Sequence, residues 1–213
     1  MAHRHFTLLD RALGEIDKAI KVLAAPARSG RSNPAGAGGE LVLEEAERRE
    51  SGRLMRVNHS GEVAAQALYN GQALTARDST VARAMQQAAG EEMDHLAWCE
   101  QRLDELDAAP SLLNPLWYAG SFAIGALAGA FGDRLSLGFV AETEKQVEAH
   151  LHEHRERLPV ADHRSRAIVD QMSREEAAHG ADAAALGATQ LPLPIRSAMR
   201  LTSRLMTRSS YWV

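Results

Sequence analysis

The sequence predicts an all-α fold: a bundle of four long helices with an added apolar helix and a C-terminal basic helix. Three observations carry this expectation. Alanine is the commonest residue, aromatics make up only 5% of the chain, and Val, Ile and Thr are sparse, so intrinsic preference favours helix over strand. Apolar residues recur at three- and four-residue steps through four long segments. Each of those stripes is interrupted at mid-length by an acid, which puts polar chemistry inside the bundle. At 213 residues the chain can bury one sizeable core. A formal charge of -4 supplies no overall basic field, so nucleic acid is not an expected partner. The single cysteine, Cys99, excludes a disulfide framework and a four-thiolate zinc or iron–sulfur site within one chain.

The first element is expected between Phe6 and Leu23, where Leu9, Leu13, Ile16, Ile20 and Leu23 form one face and Asp10, Glu15 and Lys18 the other. Charges run throughout Met1 to Lys21 with no unbroken apolar stretch, so this is not expected to be a secretory signal. Residues 1–26 read as an N-terminal amphipathic helix, and the Gly-, Ser- and Pro-rich stretch 27–39 as a flexible linker before the folded body, 40–213.

Long helices are predicted from about Leu54 to Ala76, Thr80 to Leu106, Leu135 to Leu158 and Asp162 to Leu186. Asp78 can cap the second, Asp133 precedes the third, and Pro159 separates the third from the fourth. Between the second and third, Ala108 to Gly132 carries no charged residue. Pro110, Asn114 and Pro115 leave only Leu116 to Gly132 continuous, short of the roughly 20 residues a membrane span needs. Gly120, Gly125, Gly129 and Gly132 give that segment a small-residue face, so a short buried or membrane-dipping helix is expected. Finally, Pro192 to Val213 holds Arg196, Arg200, Arg204 and Arg208 among apolar residues and no acid. This suits either a membrane-surface helix or a docking helix with solvated arginines.

The chemistry lies in an internal repeat. Glu62 is followed by Glu92-Met-Asp-His95, and Glu144 at nearly the same distance by Glu176-Ala-Ala-His179. One Glu from each of two helices and a Glu-x-x-His from each of two others is the ligand pattern of di-iron or di-manganese four-helix bundles. Burying four carboxylates without compensation would cost several kcal/mol each, on the order expected for unpaired buried charge, and two divalent cations would offset it. Glu91 and Glu175 stand four residues before the same histidines and compete as ligands, though the i,i+3 acids fit better. Glu142 and Glu148 compete likewise with Glu144. His59 and His150 are candidates to support a ligand, while His152, His154 and His163 sit among charges and read as solvated.

Arg56-Val-Asn-His-Ser-Gly-Glu-Val63, Tyr69-Asn-Gly-Gln72, Glu91-Glu-Met-Asp-His-Leu96, Asn114-Pro-Leu-Trp117 and Glu175-Glu-Ala-Ala-His179 together resemble the demethoxyubiquinone hydroxylases. The resemblance spans about Arg53 to Val213 and implies a ferritin-like di-iron hydroxylase domain with Glu62, Glu92, His95, Glu144, Glu176 and His179 as metal ligands. It further implies two iron ions, dioxygen as co-substrate, a polyprenylated demethoxyubiquinol substrate, and peripheral attachment to the cytoplasmic side of the cell membrane, with other ubiquinone-biosynthesis proteins as possible partners. Carboxylate-rich ligation with one histidine per metal suits iron or manganese better than zinc or magnesium. There is no Gly-rich dinucleotide fingerprint, so electrons are expected from an external donor that the sequence does not identify. Competing readings are a ferritin-type iron-handling protein, a rubrerythrin-like peroxidase, and a helical adaptor on a membrane surface. A prenyl tail is expected to reach the metals through a gap lined by Leu116 to Gly132.

Overall fold

A computed structural model describes residues 7–36 and 42–213. Among them are seven helices and no strand: α1 (Leu8–Ala24), α2 (Glu45–Thr75), α3 (Ser79–Glu105), α4 (Asn114–Ala130), α5 (Asp133–Arg157), α6 (His163–Ala185) and α7 (Leu193–Ser210). The bundle is formed by α2, α3, α5 and α6, with α5 packed along α6 and α2 along α3. Its boundaries follow the capping chemistry of the sequence. The Asp78 carboxylate accepts from Thr80 N at 2.7 Å to open α3, and Asp162 accepts from Ser165 N at 2.8 Å to open α6. The start of α2 differs from expectation, because Glu45 to Arg53 lacks the apolar period. Its helix-favouring Glu and Arg residues are held instead by contacts to distant parts of the same chain, among them Arg157 to Glu50 at 2.7 Å.

Two apolar clusters fill the bundle. Leu54, Met55, Leu103, Leu151, Ile168 and Met172 pack at one end, and Tyr69, Val81, Met85, Leu137, Val140 and Ala183 at the other. On every bundle helix the acids of the repeat fall between these clusters, so the polar centre is closed above and below by hydrocarbon. A buried Arg102 ties the end of α3 to the start of α6 through Ser165 Oγ at 2.8 Å and Asp162 Oδ1 at 2.9 Å.

Outside the bundle, α4 lies directly against α2. A Cβ at Gly125 would sit 2.2 Å from the Leu68 carbonyl oxygen, and one at Gly71 would sit 2.3 Å from that of Phe122, so both glycines are required for the two backbones to meet. No helix among the described residues is long and apolar enough to cross a membrane. α7 touches the start of α4 through Trp117 Nε1 and Ser210 Oγ at 3.2 Å, and Arg196 pairs with Glu142 of α5 at 2.9 Å.

The stripe Leu9, Leu13, Ile16 and Ile20 does not dock on the body; each is more than half exposed, while Val22 of α1 is buried against Val63, Ala67, Leu96 and Tyr118. The stretch expected as a flexible linker has no helix over 27–36, yet its polar groups find acid and amide side chains of α3. Ala27 N donates to Glu100 at 2.8 Å, Gly30 N to Asp94 at 2.7 Å, and Asn33 Nδ2 to Gln101 at 2.9 Å. It is a strap laid across α3; residues 37–39 of the expected linker, and 40–41 after it, lie outside the described residues.

Candidate metal centre

All six residues of the repeat meet in one buried cluster between the apolar ends. Glu62 on α2, Glu92 and His95 on α3, Glu144 on α5, and Glu176 and His179 on α6 are each at least nine-tenths buried. Two overlapping groups of side-chain atoms could each hold an ion: Glu62, Glu92, His95 and Glu176, and Glu144, Glu176 and His179, with the atoms of each group within 4.8 Å of one another. Glu92 stands between the histidines, with Oε2 3.1 Å from His95 Nδ1 and Oε1 3.2 Å from His179 Nδ1. Glu176 does the same, at 3.3 Å from His95 Nδ1 and 3.4 Å from His179 Nδ1. Glu62 lies only on the His95 side, at 3.6 Å, and Glu144 completes the His179 side. The sequence repeat thus becomes an approximate two-fold arrangement, with two carboxylates shared and one at each end.

The neighbouring acids resolve the competition within each Glu-Glu pair. Glu175 accepts from His95 Nε2 and Glu91 pairs with His179 Nε2, both at 2.6 Å. Each carboxylate therefore serves the histidine of the opposite helix, fixing the imidazole so that Nδ1 faces the centre. The spacing alone does not show this crossing, because residues four apart share a face and only the partner helix decides which of them turns inward. Tyr69 was legible as part of the α2 stripe but not as a site residue; its buried hydroxyl donates to Glu144 Oε1. His154 differs from expectation: it is buried, its Nδ1 sits 2.7 Å from Asn58 Oδ1, and its ring packs on His150 at 3.8 Å. His59 is buried beside Asn114 at 3.2 Å, at the junction of α2 and α4.

The electrostatics call for positive charge. Burial, and then the charge of Glu92, push the Glu62 carboxyl well above its usual range; burial and Glu176 do the same to Glu144. Burial opposes protonation of His179, but Glu176, Glu92 and Glu91 outweigh it and drive its pKa up to about 12. His95 is likewise raised well above its usual value by Glu92 and Glu175 against its burial. Glu62 Oε2, Glu92 Oε1 and His179 Nδ1 are buried without a hydrogen-bond partner. Two divalent cations would balance four carboxylates and give these orphaned donor atoms a metal to bind, and a mainly oxygen donor set with one nitrogen per ion fits iron.

A cleft of about 270 Å³ reaches this centre at Glu91, His179 and Tyr69. Met85, Ala88, Val140, Ala183 and Leu186 give it apolar walls, drawn from α3, α5 and the end of α6. The expected route along Leu116 to Gly132 is not this cleft, which has no lining residue from α4, since that helix is committed to the far side of α2.

A family model described as Ubiquinone biosynthesis protein COQ7 matches residues 49–210. The chain is 58% identical over 205 residues to a 3-demethoxyubiquinol 3-hydroxylase from Cupriavidus pinatubonensis, covering 95% of this chain and 99% of that protein. It is 55% identical over 215 residues to a protein of the same name from Ralstonia pickettii, covering 96% and 99%. Among solved structures, the dodecameric thioferritin of Bacteroides fragilis aligns with a TM-score of 0.55 at 19% identity, over 75% of this chain and 92% of that one. At that identity the likeness concerns the fold, which is ferritin-like.

Proposed function

The chain belongs to the Ubiquinone biosynthesis protein COQ7 family, and from that premise and the buried centre we infer that it is a 3-demethoxyubiquinol 3-hydroxylase, an oxidoreductase of ubiquinone biosynthesis. The observation that carries the reading is the pair of shared carboxylates, Glu92 and Glu176, each facing both histidines. In this reading Glu62, Glu92, His95, Glu144, Glu176 and His179 are the metal ligands, and residues 40–213 form the hydroxylase domain. Two iron ions bound there would supply the electrons that activate dioxygen. The overall change replaces a ring C–H by C–OH, sends the second oxygen atom to water, and draws two electrons and two protons from an external donor.

The protein's own side chains set the conditions for this. Glu91 and Glu175 hold the imidazoles by Nε2 and leave Nδ1 for a ligand bond. Tyr69 holds Glu144 by its hydroxyl, and the apolar clusters at either end surround the centre with hydrocarbon, leaving the cleft beside His179 as its approach. The cleft beside His179 has walls suited to an aromatic ring, so the quinol head is placed there.

A prenyl tail argues for a lipid surface, and the outer helices support one. α1 exposes Leu9, Leu13, Ile16 and Ile20, α4 exposes Leu116 and Leu127 with Phe131 just past its end, and α7 exposes Leu201 and Leu205 among its arginines. We place the protein on the cytoplasmic side of the cell membrane as a peripheral protein, held by several weak apolar and basic contacts.

The test is direct. Protein loaded with ferrous iron and given a reductant should hydroxylate a prenylated demethoxyubiquinol only when dioxygen is admitted. Glu92→Ala should abolish product, whereas Glu91→Ala, which reaches the centre only through His179, should keep more activity and more iron. Absence of product from the loaded wild-type protein would sink the reading.

A further inference from the structure

We propose that Arg31, in the N-terminal strap, is a positioning residue for the metal centre: it pins Glu175 against His95 and so makes the His95 half of the centre the one that holds its ion more tightly. The proposal rests on the reading above, that the centre takes two divalent metals.

Arg31 stands in a stretch whose composition suggests only a linker, outside the residues that the family model matches. Its guanidinium nevertheless makes a two-pronged contact with Glu175, Nη1 to Oε1 at 2.6 Å and Nη2 to Oε2 at 3.0 Å. Its Nε reaches Asp94 Oδ2 at 2.5 Å. A planar fork matched to a carboxylate fixes direction as well as distance, which a lone charge does not. The face of the same guanidinium lies 4.9 Å from the Trp98 ring, and that ring is 5.4 Å from His95. The strap holds Arg31 from both sides, through Ser29 Oγ and Gly30 N on Asp94 and through Asn33 on Gln101, so little ordering remains to be done when the contact forms.

Among the described residues, the other half of the centre has no such clamp. Glu91 occupies the equivalent place on His179, but its other hydrogen bond is to Gln87 at 3.2 Å. Its side chain is 36% exposed against 16% for Glu175, and it lines the cleft. The repeat therefore produces two like sets of ligands held to different degrees: His95 through a carboxylate clamped by Arg31, and His179 through a more exposed carboxylate whose second partner is the neutral Gln87. That difference leaves the histidine beside the cleft able to adjust while the opposite side stays fixed.

The experiment follows metal release rather than turnover. Protein loaded anaerobically with two ferrous ions is mixed with a ferrous chelator and release is followed by absorbance. The wild-type protein should show a fast and a slow phase of equal size. In Arg31→Gln the slow phase should quicken about tenfold, the scale on which outer partners of a ligand act, with the fast phase unchanged. Arg31→Lys, which restores charge but not the fork, should recover part of the difference. Glu91→Gln should quicken the fast phase alone. The metal-free variants should unfold at the wild-type temperature. Unchanged phases in Arg31→Gln, or equal quickening of both together with a lower unfolding temperature, would overturn the proposal. A wild-type protein that binds no pair of metals would overturn the di-metal reading itself.

Discussion

At the scale of single residues, the centre and its surroundings use buried polar groups in two opposite ways. The six clustered side chains invite charge, whereas His59, His150 and His154 are kept neutral. Burial pushes His59 and His150 down to about 4, the latter with help from Arg157, and burial with His150 pushes His154 down to about 2. In the unfolded chain these imidazoles take a proton near pH 6.5, roughly the free value. Their contribution to stability is therefore complete above that pH and is lost as the pH falls toward their folded values, because the unfolded state then binds the extra protons. His154→Gln, which keeps a donor for Asn58, should lose about 1 kcal/mol less than the wild-type protein between about pH 7.5 and pH 5.5 in urea titrations. Equal losses would show that His154 is not held neutral. The six centre residues were legible because an acid in an apolar stripe stands out, and because the pattern occurs twice. Arg31 was not, since nothing in a Gly- and Ser-rich stretch marks which carboxylate a long side chain will reach. The buried His154 was hidden for the same kind of reason: its charged sequence neighbours say nothing of the face it turns to α2.

At the scale of elements, periodicity and caps located the helices closely, and the misses have physical causes. α2 begins at Glu45, well before its apolar stripe, because contacts to other parts of the chain can hold a polar turn in helix. The glycines of α4 announced a close neighbour but not its identity, which is the backbone of α2 at Leu68. Gly125→Ala should consequently separate α4 from α2 and cost about 1 to 3 kcal/mol, as overpacking does, with a lower unfolding temperature and unchanged iron content. A variant as stable as the wild-type protein would mean that the two helices do not meet at Gly125. Larger residues there would act by the same displacement, so a loss of activity in them would not locate the path of the substrate.

At the scale of the whole molecule, one polar centre sits between two apolar clusters inside the bundle, while α1, α4 and α7 turn further apolar residues outward. The outward residues of α1 were readable as a stripe, but only the fold shows that the stripe is left unpaired with the body. Vesicles containing anionic lipid should carry the protein upward in flotation, and high salt should release it only in part. Complete release by salt would leave the exposed leucines without a role in attachment. The function of the centre depends on its capacity for two cations. The most direct measurement is the iron content per chain after anaerobic reconstitution and removal of loosely bound metal. The wild-type protein should hold two irons, with a clear loss in Glu92→Ala and Glu176→Ala, whose carboxylates face both histidines; less than one iron per chain, or full occupancy in both variants, would contradict a two-cation centre.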